Sequence, residues 1–266
     1  VKAKVQATNW RTGKPSDNPS HNIDHIWELN LMKLFFESVL PTQKKPRGTL
    51  TCADFDASSI VPGSKAADKP IQQLCARMPQ ALLGKTAAMD TLEFAGTSVE
   101  LNSKKGRILV PKEADGSGTS LSSVAHGYNL RNTKDKLHAL RTVGTAFDFM
   151  NDAAITALFN RAQTRLKDYL KEVDAQLATS KVNLSRPDFK WATEFQTWMG
   201  KHLDASCNDS NDWIQSVLRE VKKEISKMPQ QTAAQKTERQ MHETYLITFM
   251  NSKYSKKEHY KLNWKA

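Results

Sequence analysis

From Thr133 to Met250 the apolar residues return every three to four positions almost without interruption. That period places them on one face of a helix, and a helix with one apolar face must bury it against another. The segments Thr133–Met150, Asp152–Ala178, Pro187–Leu203, Asp212–Met228 and Thr232–Met250 each carry the pattern, joined by short connections. Long helices with short joints fold as a bundle. Asn151-Asp152 caps one junction. Ser185-Arg186-Pro187-Asp188 opens a helix with proline in its first turn, and Pro229 closes the helix before it.

Before Asn132 the pattern is different. Lys2–Gln6 alternates like a short strand, and Gly13, Pro15, Asn18 and Pro19 mark turns. A helix is predicted from Asn22-Ile23-Asp24, carried by Ile26, Leu29, Leu31, Leu34, Phe35 and Val39 and stopped before Pro41. Thr49–Lys69 reads as a long irregular loop, followed by a short helix from Pro70 to Pro79. Leu92-Glu93-Phe94, Val99-Glu100-Leu101 and Arg107-Ile108-Leu109-Val110 read as strands of a small antiparallel sheet. The expected architecture is therefore mainly α, of the α+β kind, in one domain over residues 1–266. Residues 1–130 form a half rich in loops and strands, 131–250 a helical bundle and 251–266 a basic tail.

At 266 residues the chain can bury a sizeable core, and 39% hydrophobic with 25% charged residues is ordinary for a folded protein. No apolar run reaches the roughly 20 residues of a bilayer span, so no transmembrane segment is expected. The chain begins at Val1 with no basic-then-apolar leader, which reads as a mature product or an excised domain.

The formal charge is +11, and it is unevenly placed. From Val217 onward eleven Lys/Arg face five Asp/Glu, and the tail alone holds Lys253, Lys256, Lys257, Lys261 and Lys265 against Glu258. Such a stripe favours phosphate-bearing partners, RNA above all, or an anionic surface. Tyr254, Tyr260 and Trp264 are interleaved with these lysines and could stack on bases. The alternative is a tail docked by its aromatics. Trp191, Trp198 and Trp213 sit at helical spacing and read as core.

The chemically capable residues cluster once, in His21-Asn22-Ile23-Asp24-His25-Ile26-Trp27-Glu28. On a helix, positions 21, 25 and 28 share a face. His25 and Glu28, with His21 beside them, could then exchange protons with a ribose 2′-hydroxyl and its leaving oxygen. His21, His25 and Glu28 or Asp24 as metal ligands, or Asp24 as a simple helix cap, are the competing readings. His242 shares a predicted helix with Arg239 and Glu243 and is the best distant partner for the cluster. No cofactor motif is present: Gly84-Lys85-Thr86 lacks the upstream glycine of a phosphate loop, which would fall at Pro79. Neither HExxH spacing nor a Cys/His zinc pattern occurs, so no metal is assigned. Cys52 and Cys75 flank a loop-rich stretch and are expected to form a disulfide, leaving Cys207 odd; three buried free thiols is the alternative. Asn183-Leu184-Ser185 and Asn208-Asp209-Ser210 are sequons compatible with export.

Asp24-His25-Ile26-Trp27-Glu28-Leu29 followed by Leu34-Phe35, with the run Phe149-Met150-Asn151-Asp152 inside a long helical stretch, resembles domains at the C-terminus of secreted fungal killer-toxin-like, chitinase-related proteins. In related yeast killer systems the secreted cargo is a ribonuclease that cuts tRNA with a Glu and His pair. The resemblance implies a secreted, toxin-like ribonuclease, with which a carrier or an immunity partner is expected; RNA cleavage by its own 2′-hydroxyl needs only a base, an acid and a cation, so no cofactor is expected. No residue here matches the site of those nucleases, so none is carried over. A non-enzymatic, nucleoprotein-like RNA binder is the reading from another class. Neither composition nor spacing speaks to the oligomeric state.

Overall fold

In a computed structural model of the chain the described residues are 21–25, 29–41, 49–58, 94–109, 132–179 and 183–265, with Ala81 and Leu130 as single positions. They are mostly helix. Strand β1 (His21–His25) is followed by α1 (Leu29–Val39), α2 (Cys52–Ser58), β2 (Phe94–Ser98) and α3 (Val99–Ile108). Then come α4 (Thr133–Met150), α5 (Ala153–Thr179), α6 (Trp191–Lys227) and α7 (Ala233–Asn251), and two 3-10 turns at Lys253–Ser255 and Lys257–Tyr260.

The four long helices begin where the side chains supply the amide partners that helix ends lack. Asn132 Oδ1 accepts from Asp135 N at 2.9 Å to open α4. Asp152 Oδ1 accepts from Ala154 N at 2.9 Å to open α5, so the junction predicted at Asn151-Asp152 is where one helix gives way to the next. Thr232 and Gln235 form a reciprocal capping box at α7. Helix α6 is capped from outside itself. Its amides at Trp191 and Ala192 donate to the two carboxylate oxygens of Asp174 on α5, at 2.8 and 3.1 Å. The predicted start at Pro187 is thus a turn, held by the Arg186–Asp188 ion pair, and the helix waits for the Asp174 cap.

Two predicted helices, Pro187–Leu203 and Asp212–Met228, are one helix of 37 residues. The segment between them, Asp-Ala-Ser-Cys-Asn-Asp-Ser-Asn, is poor in helix formers. Ser206 and Ser210 nevertheless keep the buried face in phase, and each hydroxyl donates to the carbonyl four residues back, at 2.9 and 2.7 Å. α6 packs against α4 and α5 over a core that includes Leu140, Val143, Phe147, Phe159, Leu166, Phe195 and Ile214, all fully buried. Phe35 of α1 docks on α6 by edge contacts to Trp191 and Phe195, and Phe55 of α2 closes on Phe36 at 5.0 Å. Trp191 and Trp213 are core residues, as their spacing predicts.

The first half departs from the sequence reading in three places. His21–His25 is a strand rather than a helix start, running antiparallel to Phe94–Ser98 with His21 opposite Ser98 and His25 opposite Phe94. The helix predicted there begins only at Leu29. Residues 99–101 and 107–108, predicted as strand, lie in α3: Ser98 Oγ accepts from Leu101 N at 3.2 Å, Glu100 sits in the positive first turn and Lys105 and Arg107 in the negative last turn. The loop predicted over 49–69 contains α2, because Thr51 and Asp54 cap each other across its first turn. No described helix is long and apolar enough to cross a membrane.

Candidate nucleic-acid interface

The cluster predicted to catalyse is not assembled by the described residues. In a strand, His21 and His25 stand roughly 13 Å apart along the chain at about 3.3 Å per residue, instead of one helical turn. Glu28 lies outside the described residues. β1 adjoins β2 and α3, whereas His242 belongs to α7, which packs on α4, α6 and the first 3-10 turn. His242 is only 4% exposed, with Nε2 3.9 Å from Glu238 Oε1 on its own helix. The helix face that would carry positions 21, 25 and 28 together is not formed over 21–25, which is strand, and His242 sits on α7. Among the described residues no group of three His, Cys, Asp or Glu side chains is placed to hold a metal ion. Cys52 is exposed at the first position of α2, and Cys75 lies outside the described residues. Cys207 is half-buried on α6, where burial pushes its thiol up.

The tail is where the sequence-predicted binding residues come together. Its path is fixed by aromatics and by bonds to residues more than a hundred positions earlier. The Tyr254 hydroxyl donates to Asp148 Oδ2 at 2.8 Å, and Lys253 pairs with the other oxygen of the same carboxylate. His259 Nε2 lies 3.0 Å from the Gly144 carbonyl oxygen. Tyr260 is 1% exposed, edge-on to Phe147 at 5.1 Å, with its hydroxyl donating to the Tyr254 carbonyl. Trp264 stacks on Phe159 with centroids 3.8 Å apart and donates its indole N–H to the Met150 carbonyl at 2.8 Å. Asn151 and Asn160 tie the backbone at Lys261, Asn263 and Lys265.

Tyr260 is thus not a platform for a base: both its ring and its hydroxyl are spent on the protein. Tyr254 is half-buried, with one face committed to α4. Burial pushes the Tyr260 hydroxyl far up and also raises that of Tyr254, where the Asp148 carboxylate adds to the effect. Neither phenol is an acid or base near neutral pH. The lysines behave differently. Lys253, Lys256, Lys257, Lys261 and Lys265 are all exposed, and of these only Lys253 is in an ion pair among the described residues. The result is a row of cations held on a pinned backbone. The sequence showed the lysines; it did not show Asp148, Gly144, Phe159 and Asn151, the groups that fix them. Asn151 next to Asp152 was legible only as a helix junction. No protein family, no curated protein and no solved structure matches this chain.

Proposed function

We propose that the chain is a nucleic-acid-binding protein that grips the phosphate backbone of RNA with the docked C-terminal segment. The carrying observation is that five lysines are exposed on a segment that Tyr260 and Trp264 anchor in the bundle. Cations on a pinned backbone lose less backbone freedom on binding than cations on a free tail. Their attraction to phosphate is released-counterion chemistry, so it carries no sequence preference by itself.

The test uses the full chain and a short labelled single-stranded RNA, with affinity measured from about 50 to 200 mM salt. Lys256→Glu/Lys257→Glu/Lys261→Glu is expected to weaken binding strongly. It should also flatten the slope of log K against log salt by about 0.7 for each phosphate that is no longer neutralised. Unchanged affinity and slope in this variant would remove the tail from the interface.

The ribonuclease reading, with its secreted and toxin-like setting, rests on the resemblance and on His21 and His25 sharing one short strand. The same incubation reads it out. RNA cut by the wild-type chain and not by His25→Ala would replace binding with catalysis as the activity.

A further inference from the structure

In the second half of α6, cations dominate one side. Arg219, Lys222, Lys223 and Lys227 are all exposed, and their spacing of three and four puts them on one face, opposite the buried Ile214, Val217, Leu218, Val221 and Ile225. Here the two glutamates in reach, Glu220 and Glu224, are turned to α4. Both pair with Lys136, Glu220 at 3.0 Å, and Glu224 also accepts from the Thr133 hydroxyl at 2.9 Å. Among the described residues no carboxylate pairs with Arg219, Lys222, Lys223 or Lys227. In this stretch the two glutamates are paired with Lys136, and the four cations are left to solvent.

We infer that this row is a second phosphate-binding surface for the same RNA, which rests on the reading of the tail as an RNA contact. Positions 219, 223 and 227 advance about 6 Å at each step along the helix axis. Cations at that spacing can meet a run of phosphates along one RNA strand. Arg219 can hold a phosphate by two parallel N–H bonds, and the lysines act as point charges beside it. The row and the tail lie on separate elements, so each contact can be removed without touching the other. The ligand is RNA, held through its phosphates, and a stem-loop and an unstructured strand are the two forms to compare.

The experiment is binding of the full chain to an RNA stem-loop and to an unstructured RNA of equal length. Lys222→Glu/Lys223→Glu is compared with Lys134→Glu/Lys201→Glu, which makes the same charge change at exposed positions outside the row. All four sites are on the surface, and a thermal melt checks that each variant is folded. The row variant is expected to bind the stem-loop at least tenfold more weakly. Its salt slope should be shallower by about 1.8, and the control variant should be weakened several-fold less. Equal weakening of the two variants would reduce the row to its share of net charge and overturn the proposal. An unaffected row variant alongside a defective tail variant would overturn it while leaving the tail contact standing. A wild-type chain that binds neither RNA at low salt would remove both.

Discussion

The ring of Tyr254 lies against the bare α-carbon of Gly144: a methyl group on that glycine would stand 2.5 Å from Cδ1 and 2.8 Å from Cγ of the ring. Gly144 is in the interior of α4, where glycine costs a helix up to about 1 kcal/mol relative to alanine. At an open site Gly→Ala would stabilise. Here the two atoms in the way are at the root of the ring, so the whole side chain must move, and with it the hydroxyl that reaches Asp148. Gly144→Ala is expected to lower stability by about 1–3 kcal/mol, the range for overpacking. It should also loosen the backbone of 253–265 so that trypsin cuts at its lysines before the bundle unfolds. In a Tyr254→Ala background the same substitution should become neutral or stabilising. Retention of the penalty there would place the clash elsewhere.

Asp54 joins two parts of the chain that lie 131 residues apart in sequence. Its carboxylate accepts from the amide and hydroxyl of Ser185 at 2.7 and 2.5 Å and from the amide and hydroxyl of Thr51, both at 2.7 Å. Burial alone would raise this carboxyl, but the four bonds outweigh it and hold it down at about 2. An acid whose folded-state value is depressed adds stability above its unfolded value, near 3.9, and loses it as the pH falls toward the folded one. The contribution is on the order of 2 kcal/mol. Stability of the wild-type chain should therefore drop between about pH 4 and pH 2 by that much more than in Asp54→Asn. Denaturant titrations at a series of pH values measure it. Parallel curves for the two proteins would mean that the carboxylate is not bonded as described.

The helical half of this chain was legible because its information is local. Leu140, Val143 and Phe147 repeat at the helical period whatever they touch, and Thr232 with Gln235 is a cap within one turn. The misreadings have local causes too. Asn22 and Asp24 are good helix caps, and only the partner strand 94–98, about seventy positions away, makes His21–His25 extended. Ser206 and Ser210 look like a break until their burial is known. The reading of the catalytic cluster leaned on the same local cue. The face shared by residues 21, 25 and 28 exists only if the segment is a helix. Basic residues were visible throughout, yet nothing local says that Glu220 and Glu224 belong to Lys136 rather than to the lysines beside them.

That partition gives a sharper expectation. The Lys136 side chain is nearly buried; desolvation disfavours its charge, but the bonds from Glu224 and Glu220 outweigh that and raise it above the usual lysine range. Its charge therefore contributes stability throughout the neutral range and is lost only at strongly alkaline pH. Lys136→Met keeps most of the side-chain volume and removes the charge. Glu220 and Glu224 are partly exposed, so the loss of stability should be moderate, about 1–2 kcal/mol. The second effect is the informative one. Released from α4, Glu220 is three residues from Lys223, and Glu224 three from Lys227, the spacing at which side chains on a helix meet. RNA affinity should then fall although no residue of the basic row has been touched. Adding Glu220→Gln and Glu224→Gln to Lys136→Met should restore the affinity, because no carboxylate remains to compete with phosphate, while leaving the stability loss in place. Affinity that follows stability through the series, instead of following the two carboxylates, would show that Lys136 serves only to join α4 to α6.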